Sequence, residues 1–215
     1  MTKSKKYLWA STILLSLFVL WTAAVCIVDV QPVGPNGSKV GFAAINAFFH
    51  KLTGVHFDLY VITDWLGLVP IAVCMGFGIL GLVQWIKRKK LLAVDTDILV
   101  LGGYYLLVMV VYILFEYCTI NYRPVLIDGF LEKSYPSSTT MLVLCVMPTV
   151  MLQMKLRIKN NRLRKCINGV IVTFTVFMVV GRLVSGVHWL SDIIGGVLIS
   201  LVLVMLYRAA VLRLN

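Results

Sequence analysis

Six long apolar runs constrain the fold of this 215-residue chain more than any other feature of its sequence. A run of about 20 apolar residues is long enough to cross a bilayer as a helix. Backbone groups inside a membrane must satisfy their hydrogen bonds within the protein, which leaves helices and closed barrels as the available structures. The sequence therefore predicts an all-α, polytopic membrane protein with six transmembrane helices in a single bundle. The predicted spans are residues 7–28, 59–86, 98–118, 137–154, 167–184 and 191–206.

Composition supports the membrane class and excludes an ordinary soluble domain. Hydrophobic residues make up 60% of the chain, charged residues 13%, and the mean hydropathy is +0.93. In soluble domains, apolar residues make up just under half of the chain. No internal repeat and no linker interrupts the sequence, so residues 1–215 are expected to form one domain.

The net charge of +11 invites a nucleic-acid interpretation, but the placement of the basic residues argues against one. Fifteen of the twenty Lys and Arg residues fall at the N-terminus, in alternate predicted loops and at the C-terminus. These positions are 3–6, 87–90, 155–165 and 208–213. Basic residues concentrate on the cytoplasmic side of membrane proteins and attract anionic lipid head groups. We therefore expect a cell-membrane protein with both termini cytoplasmic, a bilayer as its partner and no nucleic acid.

The segment between the first two predicted spans contains a second kind of helix. Phe42, Ile45, Phe49 and Leu52 recur at helical spacing among polar residues, which predicts an amphipathic helix at the outer face. His50 in this segment and His56 after it are interpreted as interface residues, because no cysteine or carboxylate cluster accompanies them. The five cysteines are scattered without metal-ligand spacing, so we expect no metal and no other cofactor.

Asp64 lies inside the second predicted span, where a carboxylate is costly and often functional. The sequence favours the simpler alternative, a carboxylate near the start of a helix at the membrane interface.

The joint between the last two predicted spans, residues 181–192, concentrates polar chemistry. If His188 opens a helix, Asp192 lies one turn later on the same face and within reach of the imidazole. A carboxylate at one ring nitrogen orients the ring and leaves the other nitrogen free to attack or to transfer a proton. Arg182 carries a planar, permanent cation suited to phosphate oxygens. The alternative is a His and an Arg that merely anchor a membrane edge.

Two upstream stretches add groups that favour an anion. Pro136 followed by Ser137, Ser138 and Thr139 is typical of a helix start, where free backbone N–H groups attract negative charge. Simple capping of the helix by Ser or Thr is the alternative. Arg123 precedes a proline, which restricts it to extended conformations, and a head-group anchor is its alternative role. The basic loops place all of these groups on the outer side, and together they predict a phosphate site with a nucleophile.

These motifs resemble those of the type 2 phosphatidic acid phosphatase family, membrane lipid phosphatases related to the vanadium haloperoxidases. The family motifs are K-x6-R-P, P-S-G-H and S-R-x5-H-x3-D, and the resemblance covers essentially the whole chain. It implies that His188 is the nucleophile forming a phosphohistidine and that Asp192 orients it. It also implies a set of phosphate-binding residues: Arg123, Arg182, Ser137, Ser138 and Thr139.

Three positions depart from the family motifs: Glu116 in place of the lysine, Thr139 in place of the second-motif histidine, and Gly181 in place of the serine. In the family that histidine protonates the leaving alcohol, and general acid catalysis contributes about two to four orders of magnitude in rate. Lys133 is a candidate substitute for the missing cation.

Two functions remain open at this point. A lipid diphosphate, for example a polyprenyl diphosphate, releases a phosphate with a pKa of about 6 and needs little protonation, so a hydrolase acting on it tolerates Thr139. The alternative is a catalytically impaired relative that binds phospholipid head groups without turnover. The retained spacing of His188 and Asp192 favours the hydrolase.

Overall fold

A computed structural model describes residues 2–214, and the regular structure in that range is helical. Its eight α-helices are α1 (Lys3–Ile27), α2 (Ala43–Thr53), α3 (Phe57–Leu66), α4 (Leu68–Arg88), α5 (Thr96–Tyr117), α6 (Ser138–Arg157), α7 (Asn161–Val184) and α8 (Leu190–Leu214). With α3 and α4 taken as one segment, six helical segments are long and apolar enough to cross a membrane. This confirms the predicted fold class.

The second predicted span, residues 59–86, is divided by a break between α3 and α4 at Gly67. Pro70 explains the position of the break. Proline has no backbone N–H and its ring clashes with the carbonyl four residues earlier, which here belongs to Leu66. Helix α3 therefore ends at Leu66, although Gly67 keeps helical dihedral angles and joins α3 directly to α4.

The predicted boundaries at the end of the bundle that carries the chain termini fall short of the observed helices, by the largest margin at the sixth span. The sixth span was expected to end at residue 206, but α8 continues to Leu214. Packing against α1 supports the extra turns, since the Arg208 guanidinium lies 5.8 Å from the centroid of the Tyr7 ring. The basic loop predicted at 155–165 is also shorter, because α6 runs to Arg157 and the side chain of Asn160 caps α7.

Helix α8 is the centre of the bundle and the most buried of the six segments. It packs antiparallel to α1, where Ser11 Oγ donates to the Val202 carbonyl at 3.1 Å. On its other side it meets α6, where Ser200 Oγ donates to the Met141 carbonyl at 3.2 Å. The first turn of α8 therefore has a fixed position at the opposite end of the bundle from the termini, which we call the site end.

The amphipathic helix predicted near residues 42–52 is present as α2 at the site end. Its apolar Ile45, Phe48 and Leu52 are exposed, whereas its polar Asn46 is fully buried. Asn46 donates to the Gly41 carbonyl at 2.7 Å and to Ser191 Oγ at 2.9 Å, and its Oδ1 accepts from the Ser191 N–H at 3.1 Å. The buried amide thus satisfies a free backbone donor at the start of α8 and ties α2 to that helix.

Replacing Asn46 with Ala should lower the thermal stability of the detergent-solubilised protein. The change leaves the Ser191 N–H and the Gly41 carbonyl without their partner, at a cost of about 1–3 kcal/mol. A chain of this size loses roughly 2–4 °C in Tm per kcal/mol, so a shift of several degrees is expected in a thermal unfolding assay. Asn161→Ala, an exposed asparagine on α7, is the matched control. Equal Tm values for the two variants would contradict the anchoring role of Asn46.

Candidate active site

His188 lies in the turn between α7 and α8 and is only 3% exposed. Its Nδ1 atom is 3.7 Å from Asp192 Oδ2, and its Nε2 atom is 3.3 Å from Arg123 Nη1. One edge of the imidazole therefore faces a carboxylate and the other faces a guanidinium. The structure brings together three of the residues that the sequence selected, from two separate stretches of the chain.

Asp192 is fully buried and held by two donors. Asn121 Nδ2 donates to its Oδ1 at 3.1 Å, and the Trp189 backbone N–H donates to its Oδ2 at 3.0 Å. Its own backbone carbonyl accepts from the Ser137 N–H at 3.1 Å, which joins the starts of α6 and α8. Asn121 is a positioning residue that the sequence did not reveal, since a single amide in a loop carries no distinctive pattern.

Gly186 shapes the turn that leads to His188. Its φ of +70° is in the left-handed region, and a Cβ atom there would lie 2.0 Å from the Gly54 carbonyl oxygen. Glycine alone accepts both conditions at low cost. The neighbouring Ser185 carbonyl accepts from the His56 N–H at 3.0 Å. The turn is thus fixed against the connection between α2 and α3.

The loop at residues 118–137 folds back on itself and carries Arg123 to the imidazole. The Arg123 N–H donates to the Glu132 carbonyl at 2.9 Å, and the Trp189 indole donates to the Tyr122 carbonyl at 2.7 Å. Arg123 Nε is also 2.9 Å from Glu132 Oε2. Backbone pairing and this ion pair together orient the guanidinium toward His188.

Arg182 is almost completely buried and is reached from helix α3. Its guanidinium carbon is 5.0 Å from the centroid of the Tyr60 ring, and the guanidinium carbon of Arg123 is 5.8 Å from the same centroid. Arg182 Nη1 also lies 3.5 Å from Asp64 Oδ1 and from Thr63 Oγ1. Cation–π contacts of this kind contribute about 0.5–2 kcal/mol each. One tyrosine therefore holds the two arginines close together despite their like charge.

The polar face of α3 was underestimated from the sequence. Asp64, for which the simpler role of a helix-start carboxylate was favoured, is the carboxylate nearest Arg182, and Tyr60 was not selected at all. Tyr60, Thr63 and Asp64 are three and four residues apart, so they share one face of the helix. A polar face within an apolar span is a pattern that could have indicated from the sequence that α3 contributes to the site.

The same face explains Gly181, the residue that departs from the third motif. A Cβ atom at Gly181 would lie 2.8 Å from Thr63 Cγ2, closer than side chains pack. Glycine at this position allows α3 and α7 to approach each other and brings Thr63 against Arg182.

The N-cap residue of α6, Ser137, does not use its side chain to cap the helix. Ser137 is fully buried, yet its Oγ has no partner among residues 2–214. Arg182 Nε is buried without a hydrogen-bond partner in the same range. Unpartnered buried donors are costly, and each of these two groups could donate to an acceptor oxygen of a ligand.

A small cavity of about 30 Å³, which we call the His188 cavity, opens beside the imidazole. Its lining comprises Tyr112, Phe115, Glu116, Arg123, Lys133, Ser134, Tyr135, Pro136, Ser138, Met141 and His188. Of the predicted phosphate-binding residues, Arg123 and Ser138 line this cavity, whereas Arg182, Ser137 and Thr139 do not. The methyl group of Thr139 instead packs beside Gly67. His50 and His56 also lie outside the lining, His50 against Trp189 and His56 against the Thr53 carbonyl.

Burial lowers the pKa of His188 well below its usual value, and the positive charges of Arg123 and Arg182 lower that pKa further. The imidazole is therefore neutral at pH 7, with one ring nitrogen carrying a lone pair. Because a guanidinium can only donate, Nε2 accepts from Arg123 Nη1 and carries the lone pair, and the ring proton is then on Nδ1, 3.7 Å from Asp192 Oδ2. This is the protonation state of a nucleophile or a base.

Comparison with known proteins agrees with this geometry. The model of the PAP2 superfamily matches residues 104–215, a range that includes Arg123, Arg182, His188 and Asp192. This match confirms the resemblance found in the sequence. No curated protein matches the chain.

One solved structure shares the fold. It is the first transmembrane PAP2-type phosphatidylglycerolphosphate phosphatase from Bacillus subtilis, with a TM-score of 0.55 and 19% sequence identity. The alignment covers 95% of this chain and 97% of that one. At this identity the likeness concerns the arrangement of the helices.

Histidine NMR should show that His188 stays neutral as the pH falls through its ordinary pKa of about 6.5. In a protein whose His50 and His56 are replaced by Asn, the remaining ring nitrogens report His188 alone. Arg123→Gln removes a neighbouring positive charge and should raise the pKa of His188. A wild-type titration midpoint at or above 6.5, or no upward shift in the Arg123 variant, would contradict the electrostatic description of the site.

Gly181→Ser should destabilise the protein, and Thr63→Ala should relieve part of that loss. The serine Cβ collides with the Thr63 methyl group, and overpacking of this kind costs typically 1–3 kcal/mol. Contacting residues couple by about 0.5–3 kcal/mol in double-mutant cycles. Tm values for both single variants and the double variant measure this coupling. Strictly additive Tm changes would show that the two residues do not pack as described.

Proposed function

This chain belongs to the PAP2 superfamily, and we propose that it is an integral-membrane phosphatase that hydrolyses a lipid phosphate or lipid diphosphate through a phosphohistidine at His188. The observation that carries the proposal is the imidazole held between opposite charges, with Nε2 3.3 Å from Arg123 Nη1 and Nδ1 3.7 Å from Asp192 Oδ2. A phosphoryl group brought against Nε2 would meet a lone pair and a guanidinium together. That combination suits nucleophilic attack on phosphorus.

In the first step, Nε2 forms a bond to phosphorus while the bond from phosphorus to the leaving oxygen breaks. The leaving oxygen keeps the bonding electrons, and the imidazole becomes cationic with its proton still on Nδ1. Asp192 stabilises that cation, while Arg123 and Arg182 balance the negative charge on the phosphoryl oxygens. Ser137, Ser138 and the backbone N–H groups at the start of α6, including that of Thr139, are the further donors proposed for those oxygens.

In the second step, a water molecule attacks phosphorus and the bond from Nε2 breaks. The electrons of that bond return to the imidazole, which becomes neutral again. Both water hydrogens leave with the product as dihydrogen phosphate, so the site is restored without a further proton donor. Apart from the substrate and this water molecule, the groups in the cycle are side chains and backbone groups of the chain.

We place the site at the outer membrane face and both termini in the cytoplasm. The basic clusters at residues 3–6, 87–90, 155–165 and 208–213 lie toward the end of the bundle with the termini. Cytoplasmic loops carry an excess of Lys and Arg, and His188 is at the other end. A lipid phosphate in the outer leaflet would present its head group at that level.

The leaving group favours a lipid diphosphate, for example a polyprenyl diphosphate, over a monophosphate. A lipid alcohol leaves as an alkoxide unless an acid protonates it, and Thr139 is no such acid near neutral pH and lies outside the His188 cavity. A leaving phosphate monoester has a second pKa of about 6 and departs readily as a dianion. Catalytic impairment with head-group binding is the second candidate, and the position of Thr139 is the observation that favours it.

The test is phosphate release by the purified protein in detergent, without added metal, from a lipid diphosphate and its matching monophosphate. We expect the diphosphate to be the better substrate and His188→Ala to abolish turnover. Arg123→Gln should lower kcat/KM by about 10²–10³, the usual effect of losing one donor to a developing oxyanion. His56→Gln serves as the control histidine outside the His188 cavity. A clear preference for the monophosphate would contradict the leaving-group argument.

Thr139→His adds a proton donor at a position outside the His188 cavity. Faster cleavage of the monophosphate by this variant would show that a missing acid limits the wild-type protein. Binding of phospholipid head groups with no turnover of any lipid phosphate would establish the second candidate instead.

A further inference from the structure

The His188 cavity has a buried end and an exposed end. His188 and Ser134 are each 3% exposed, whereas Tyr112, Glu116 and Lys133 at the other end are open to the surroundings. In a displacement at phosphorus the leaving oxygen departs on the side opposite the nucleophile. A leaving group expelled by His188 therefore moves toward the exposed end of this cavity.

A single cation is fixed at that end of the cavity lining. Lys133 Nζ donates to the Glu116 backbone carbonyl at 2.6 Å, which holds the ammonium at the last turn of α5. The lysine comes from the returning arm of the loop at residues 118–137, where Tyr122 and Lys133 face each other in an isolated antiparallel bridge. Backbone pairing with Tyr122 thus fixes the main chain of Lys133, and the hydrogen bond to the Glu116 carbonyl fixes its ammonium group.

The other cationic groups of the site are committed elsewhere. Arg123 contacts the imidazole and Glu132, and Arg182 lies against Tyr60 and Asp64. Neither is at the exposed end of the cavity. Of the site's cations, Lys133 is therefore the one that a departing group would meet at the exposed end, in the same lining as Glu116.

From this arrangement we propose that Lys133 binds and stabilises the leaving phosphate, which makes it a determinant of preference for a lipid diphosphate over a monophosphate. The inference rests on the proposed function. As the bond from phosphorus to the bridging oxygen breaks, its electrons stay on that oxygen and the lipid monophosphate departs as a dianion. An ammonium group stabilises that dianion by charge and hydrogen bonding and donates no proton to it. A lipid alcohol leaving from a monophosphate offers the ammonium one oxygen in place of the several charged oxygens of a departing phosphate, so it gains less from this contact.

The experiment compares kcat and KM of the full-length protein in detergent on farnesyl diphosphate and farnesyl monophosphate. Lys133→Gln should lower kcat/KM on the diphosphate about tenfold, less than for a buried donor because the lysine is exposed. The loss on the monophosphate should be clearly smaller. Lys133→Arg should keep most of the diphosphate activity, since it keeps the charge. Lys51→Gln, an exposed lysine on α2 outside the cavity, is the matched control.

A second variant tests whether the substrate preference depends on a positive charge at this end of the cavity or on a lysine at position 133. In Glu116→Lys combined with Lys133→Gln, a cation returns to the residue whose carbonyl holds the Lys133 ammonium. We expect this double variant to recover the preference for the diphosphate relative to Lys133→Gln alone, and an equal gain on both substrates would overturn the role of Lys133. Added salt should weaken the wild-type preference for the diphosphate, because an exposed charge is screened.

The outcomes separate the two proposals. Normal diphosphate turnover by Lys133→Gln, or an equal loss on both substrates, overturns the role of Lys133 and leaves the phosphatase standing. An Arg variant as impaired as the Gln variant overturns it as well. Failure of the wild-type protein to release phosphate from either substrate overturns the proposed function and this inference with it.

Discussion

The placement of one imidazole between opposite charges is the constraint on which the rest of the site depends. Arg123 lies at one ring nitrogen of His188 and Asp192 at the other, in a pocket that excludes most solvent. Burial and the nearby guanidinium groups keep the pKa of the ring low, so it is neutral. The guanidinium of Arg123, which can only donate, fixes the lone pair on Nε2. Without both neighbours, a buried histidine here would be unoriented and its reactive atom undefined.

The fold serves that placement from several directions. Helix α8 is centred in the bundle, and its first turn carries Asp192. Asn46 ties this turn to α2, and Gly186 lets the chain turn tightly enough to bring His188 back over the carboxylate. Because these contacts come from elements distant in sequence, the position of the ring is set by tertiary packing and not by the third motif alone.

Hydropathy and spacing predicted the six spans and the meeting of His188 with Asp192, because helical periodicity is a local property. The end of α8 and the break at Gly67 were missed. A hydropathy pattern records neither the packing of Arg208 on Tyr7 nor the steric effect of Pro70 on the preceding turn. The cluster around Tyr60 and the placement of Lys133 depend on long-range contacts. No single-sequence pattern encodes which loop residue reaches a cavity, so these required the structure.

The most direct test of the account is to trap the covalent intermediate. The protein should be mixed rapidly with a lipid diphosphate, quenched in alkali, which preserves phosphohistidine, and examined by peptide mass spectrometry. The account predicts one phosphoryl group, bound to His188, that appears before free phosphate and is absent from His188→Ala. Phosphate release with no phosphorylated peptide at any quench time, or with the phosphoryl group on another residue, would contradict it.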